Sequence, residues 1–111
     1  MDDLDATVLE RLYQTIVSRR GSDPQASYTA KLFAKGRQKI ARKVGEEAIE
    51  VVVAAMTETP ERLADESADV LYHLLVLWAE AGVQPHDVWE KLAAREGVSG
   101  IAEKQARGKI I

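Results

Sequence analysis

Apolar residues along this chain recur every third or fourth position and almost nowhere alternate, which predicts helices and no sheet. Leu4, Val8, Leu12 and Ile16, flanked by Leu9, Tyr13 and Val17, predict an amphipathic first helix over about 4–19. Gly21-Ser22-Asp23-Pro24 reads as a loop. Ser27 offers a cap for a short second helix carrying Tyr28, Leu32 and Phe33, and Gly36 ends it. A third helix is predicted over about 37–57. Thr59-Pro60-Glu61 then combines a capping hydroxyl, proline at the first helical position and an acid at the positive dipole end. The fourth helix that it starts runs to Gly82, and a fifth covers 85–95. Val51-Val52-Val53 alone would suit a strand, but the surrounding helical period overrides that propensity. Residues 1–96 are read as one domain and 97–111 as a loosely ordered tail.

The third and fourth helices are apolar on more than one side. Ile49, Val52 and Val53 lie away from the stripe Ile40, Val44, Val51, Ala54. Leu71, Leu75 and Trp78 lie away from Leu63, Val70, Leu77. A helix apolar nearly all round is covered on both sides. In a chain of 111 residues a second layer is expected from another subunit, so a homodimer or higher oligomer is predicted.

The charged positions on those stripes carry the candidate chemistry. At about 100° per residue, Glu47 falls within the Ile40 stripe and Glu66 within the Leu63 stripe. Glu50 and Asp69 each follow three residues later, a spacing that points both members of a pair the same way. A charge on a core-facing stripe is costly unless it is paired or bound to a metal. Two such stripes facing each other would gather Glu47, Glu50, Glu66 and Asp69 around a divalent cation. With oxygen ligands alone, Mg2+ or Mn2+ is favoured over zinc or iron. Glu46 points away from the stripe and is assigned a supporting or surface place. His73, one turn after Asp69, is a candidate to orient a carboxylate or touch ligand, or else a satisfied core histidine.

Just before the carboxylates, Lys31, Lys35, Arg37, Lys39, Arg42 and Lys43 occur with no acid between Ala30 and Val44. Set against an acidic metal group, such a run suits a phosphate-rich ligand. Lys31, Arg42 and Lys43 are the candidate phosphate contacts. The bland reading is a solvated face, or acids simply paired with Arg37, Arg42 and Lys43 in a non-catalytic helical module. Neither a P-loop nor a dinucleotide fingerprint is present. The net charge of −3 argues against a nucleic-acid binder. The absence of cysteine removes thiolate metal sites and thiol nucleophiles and fits a reducing cytosol. No apolar run is long enough to span a bilayer.

Three segments carry a family resemblance: Ser27-Tyr28-Thr29-Ala30-Lys31-Leu32, Lys39-Ile40-Ala41-Arg42-Lys43-Val44-Gly45-Glu46-Glu47-Ala48, and Glu66 through Val76. Together they resemble the phosphoribosyl-ATP pyrophosphohydrolases of histidine biosynthesis. These belong to the all-alpha, MazG-like nucleotide pyrophosphohydrolases marked by Glu-x-x-Glu followed at a distance by Glu-x-x-Asp. The likeness spans roughly residues 4–96. It implies an all-α, four-helix-bundle-type core completed by homodimerisation. It further implies Mg-dependent cleavage of the α–β anhydride of phosphoribosyl-ATP, with the four acids as metal ligands. Within that frame Glu47 and Glu50 are the expected catalytic residues, Glu50 as base. A housecleaning (d)NTP pyrophosphohydrolase on the same scaffold is the alternative.

Overall fold

The computed structural model describes residues 4–108. The parts of the domain and tail expectations that fall on residues 1–3 and 109–111 lie outside the described residues. Six helices follow in order: α1 (Thr7–Ser18), α2 (Tyr28–Lys35), α3 (Arg37–Thr57), α4 (Pro60–Ala81), α5 (Pro85–Ala93) and α6 (Gly100–Ala106). No strand occurs among the described residues, as the helical period predicted.

Local chemistry sets most of the boundaries. Ser27 Oγ accepts from the Ala30 amide and Thr59 Oγ1 from the Arg62 amide, each satisfying an N-terminal donor that the helix cannot. Gly36 at φ 93° separates α2 from α3, and Gly82 at φ 77° closes α4 in the left-handed conformation that glycine adopts without strain. α1 starts at Thr7 rather than Leu4. Asp5 accepts from the Thr7 amide at 2.9 Å, and this local turn holds the preceding residues out of the helix. Leu4 is left fully exposed. α5 stops at Ala93, short of the expected Arg95. Residues 100–106, read from sequence as part of a tail, form α6; Ser99 caps it, and its Glu103 pairs with Arg95 and Arg107.

α3 and α4 are the long pair and make the most extensive contact in the chain. Only Glu58 and Thr59 join them, so they fold back antiparallel. α1 packs on α4, α2 wedges against both α3 and α4, and α5 reaches α1. The core holds Tyr13, Ile16, Leu32, Ile40, Leu75 and Val76, with Leu12, Phe33 and Leu77 packed around it. Burying aliphatic side chains of this size contributes about 1.5–3 kcal/mol each. Tyr13 keeps its hydroxyl satisfied by donating to the Val83 carbonyl at 2.9 Å.

The second apolar face of α4 is covered differently from the expectation. Leu75 is buried in the chain's own core, and Trp78 meets Trp89 of α5 edge-on at 6.0 Å. Only Leu71 stays exposed on that side. On α3, Ile49, Val52, Val53 and Met56 all face out.

Candidate metal and phosphate site

The hairpin turn sets the register of the acids. Glu47 and Asp69 lie at matching distances on either side of Glu58, as do Glu50 and Glu66. The structure brings Glu47, Glu66 and Asp69 together, each offering a carboxylate oxygen within 4.8 Å of the others. The Glu47 and Glu66 side chains are only 15% and 13% exposed, while Asp69 opens to solvent. Glu50 stands outside this trio and is exposed. Three helical positions turn it about 60° from Glu47. Its charge still reaches Glu66. That carboxyl has its pKa raised, first by loss of hydration and then by Asp69, Glu50 and Glu47, against an opposing effect of Arg62.

Cations hold the outer sides of the two partly buried acids. Lys43 Nζ lies 3.2 Å from Glu47 and 3.6 Å from Glu46, and the hydrogen bond to Glu47 holds its pKa above the usual lysine value. Arg62 reaches Glu66 at 3.1 Å and also contacts Glu58 and Asp65. The importance of Arg62 was missed from sequence, although its spacing of four residues before Glu66 was a readable signal. Of the other cations weighed as partners for the acids, Arg37 donates instead to the Glu80 carbonyl. Arg42 is exposed and makes no ion pair among the described residues.

A polar chain from α2 braces Asp69. His73, 5% exposed, contacts the Asp69 carbonyl through Nδ1 at 2.8 Å, and its Nε2 lies 2.8 Å from the Tyr28 hydroxyl. A carbonyl can only accept, so Nδ1 carries the proton and Nε2 accepts from Tyr28. His73 therefore ties α2 to the backbone of the carboxylate helix, its ring bonding the Asp69 carbonyl and the Tyr28 hydroxyl. Buried Thr29 hydrogen-bonds Tyr72 alongside, and Tyr28 stacks on Tyr72. Loss of hydration pushes the Tyr28 phenol pKa up, with Lys43 opposing. No sequence spacing announces these two contacts, since each joins residues more than forty positions apart.

Two clefts flank Tyr28. One of about 200 Å3 is lined by Tyr28, Lys31, Leu32, Lys35, Lys39 and Lys43. A larger one of about 610 Å3 runs over Pro24, Gln25, Ala26, Ser27, Tyr28 and Lys31. Lys31 and Lys43 thus share a cleft, while Arg42 does not line it. Three carboxylates without nitrogen or sulfur donors form a hard set that matches a divalent cation bound through oxygen. The residues present therefore fit such an ion.

The phosphoribosyl-ATP pyrophosphohydrolase family model matches residues 9–96. Over 106 residues the chain is 61% identical to the phosphoribosyl-ATP pyrophosphatase of Azospirillum brasilense, covering 96% of each protein. It is 62% identical over 105 residues to the phosphoribosyl-ATP pyrophosphatase of Paramagnetospirillum magneticum, covering 95% of this chain and 96% of the relative. The enzyme of the same name from Rhodospirillum rubrum is 60% identical over 102 residues, or 92% of this chain and 87% of that protein. An all-helical fold, a family match over most of its length and full-length relatives of one name lead to one assignment: the chain belongs to the phosphoribosyl-ATP pyrophosphohydrolase family.

Proposed function

We propose that this chain hydrolyses the α–β phosphoanhydride of phosphoribosyl-ATP, giving phosphoribosyl-AMP and pyrophosphate in the second step of histidine biosynthesis. The observation that carries the reading is the carboxylate trio Glu47, Glu66 and Asp69 standing beside a lysine-lined cleft. The names of the full-length relatives support the same substrate.

Glu47, Glu66 and Asp69, with Glu50 at their edge, are the proposed ligands of Mg2+, with Mn2+ as a substitute. When bound, that cation supplies charge stabilisation to the phosphate oxygens and makes water a stronger acid. Lys43 and Lys31 hold the phosphates on the cleft side, where ammonium groups offset charge that builds up as the anhydride opens. Glu50, exposed and free of an ion pair among the described residues, accepts the proton of the attacking water. The water oxygen bonds to one phosphorus of the α–β linkage, the P–O bond from that phosphorus to the bridging oxygen breaks, and the bridging oxygen leaves with the electron pair on the other product, so that phosphoribosyl-AMP and pyrophosphate separate. Tyr28 and His73 act by position, fixing α2 against the Asp69 turn.

A pyrophosphate-release assay on phosphoribosyl-ATP, with and without Mg2+, tests the activity. dCTP, dUTP and ATP in parallel decide between this substrate and the (d)NTP alternative. Preference for one of those nucleotides would overturn the substrate assignment. Full turnover by Glu47→Gln would remove the carboxylate site. A non-catalytic module, in which Lys43 merely neutralises Glu46 and Glu47, would take up no Mg2+ in calorimetry.

The homodimer is proposed on the α3 face. Ile49, Val52, Val53 and Met56 form an exposed apolar row, joined by Leu71 of α4. Burying that row against a second copy completes the four-helix core. A monodisperse monomer at micromolar concentration would refute it.

A further inference from the structure

The cleft beside the carboxylates carries lysines beyond the two assigned to the reacting phosphates. Lys31, Lys35, Lys39 and Lys43 all line the same volume of about 200 Å3. Lys43 alone among them is paired with acids; Lys31, Lys35 and Lys39 form no ion pair among the described residues. The first turn of α3 offers no relief, since it contains Arg37 and Lys39 but no acid, and cations there oppose the helix dipole. Like charges gathered around so small a space destabilise the empty protein and favour an anionic occupant.

The cleft also has a direction. Lys43 stands one helical turn from Glu47 and touches it. Lys39 is a further turn back, about 12 Å along the axis from Glu47 at 1.5 Å per residue. Lys35 lies on α2, beyond the break at Gly36. With the anhydride at the carboxylates, Lys43 and Lys31 answer the triphosphate, which leaves Lys35 and Lys39 at the far end of the cleft for a phosphate on another part of the ligand. Phosphoribosyl-ATP has such a part. Its triphosphate hangs from one ribose and a phosphomonoester from the other, with the adenine between them. ATP and the dNTPs lack the second group.

We propose that Lys35 and Lys39 bind the phosphomonoester of the phosphoribosyl arm, so that the far half of the lysine cleft sets preference for phosphoribosyl-ATP over simple nucleoside triphosphates. This rests on the activity proposed above. The dianionic phosphate bridges the two ammonium groups across the α2–α3 break, and Tyr28 forms the wall between this cleft and the larger one.

The test compares wild type with Lys35→Gln, Lys39→Gln and the double variant, using phosphoribosyl-AMP and AMP as calorimetric ligands. Both ligands carry the 5′-phosphate of the adenosine, and only the first carries the second phosphomonoester, on the phosphoribosyl arm. The double variant is expected to bind phosphoribosyl-AMP on the order of 10- to 100-fold more weakly, as for loss of charge-assisted hydrogen bonds, with AMP unchanged. Ribose 5-phosphate is expected to inhibit wild-type turnover of phosphoribosyl-ATP competitively and to lose that effect in the double variant. Equal weakening of both nucleotides would assign these lysines to the reacting phosphates and overturn the proposal, as would no weakening of either. A wild type active on phosphoribosyl-ATP with no selective effect in the variants sinks the subsite alone. A wild type inactive on that substrate sinks the activity and the subsite together. Unchanged helical circular dichroism in the variants shows that the comparison reads binding rather than folding.

Discussion

Glu66→Gln separates a metal ligand from a structural acid, because the two roles predict opposite responses. Glutamine keeps the shape and hydrogen-bonding reach of the side chain and removes its charge. Without metal, the surroundings disfavour that charge: loss of hydration comes first, and Asp69, Glu50 and Glu47 add repulsion, so the pKa lies above the ordinary 4.5 despite Arg62. The variant therefore loses one exposed contact at 3.1 Å and gains relief from three like charges. Its melting temperature in EDTA is expected to equal or exceed wild type. With metal the order reverses. A cation that binds only the folded chain at 100 times its Kd stabilises wild type by about 2.7 kcal/mol. At about 4 °C per kcal/mol for a domain of this size, the wild-type melting point should rise by about 10 °C. Glu66→Gln should lose most of that increment. Thermal melts in EDTA and across a Mg2+ series measure both arms. A variant that melts lower in EDTA and gains as much from Mg2+ as wild type would refute the reasoning and make Glu66 a structural ion-pair residue.

The same experiment has a pH arm. A raised carboxyl pKa means that the folded chain holds this proton to higher pH than the unfolded chain. Its contribution to stability is present at low pH and is lost as pH rises through the raised value. Metal-free wild type should therefore gain stability relative to Glu66→Gln as pH falls from neutral into the upper carboxylate range. A wild-type-minus-variant difference that is flat with pH would contradict the sign.

Four further outcomes follow from the packing. Leu75→Ala empties a fully buried core position and should cost about 2–5 kcal/mol, seen as a lower urea midpoint with the Mg2+ increment retained. Tyr28→Phe leaves the buried Nε2 of His73 without its donor. It should destabilise by about 1 kcal/mol and shift the His73 Nε2 nitrogen resonance. Arg62→Gln frees Glu66 from a competing cation and should tighten Mg2+ binding in calorimetry; weaker binding would show that Arg62 organises the acids instead. Val52→Glu places a charge in the exposed α3 row and should yield a monomer in sedimentation velocity with unchanged helical circular dichroism.

Much of the candidate site was readable because its signals are local. The three-residue spacing of Glu47–Glu50 and Glu66–Asp69, on stripes whose Ile40 and Ala54 prove buried, needs only the pitch of a helix. The short connection at Glu58-Thr59 adds antiparallel pairing, which puts the two stripes level. What the spacing did not fix was how many acids converge. A rotation of about 60° between positions three apart turns Glu50 away from the trio, and only the packed distance between α3 and α4 decides whether it still reaches. The cover on α4 was likewise illegible. Periodicity shows that Leu75 and Trp78 face something apolar. It does not say that α1 and α5 of the same chain supply it.

The sequence alone determined the helices, their caps and breaks at Ser27, Gly36, Thr59 and Gly82, and the pairing of acids along two faces, since each depends on atoms a few residues apart. Tertiary structure alone decided that Tyr28 would meet His73, that lysines on either side of Gly36 would line one cleft, and that Glu47 of one helix would converge with Glu66 and Asp69 of the other. Those outcomes depend on how rigid helices seat against one another, and small differences in side-chain volume across the core shift that seating without leaving a periodic trace in the chain.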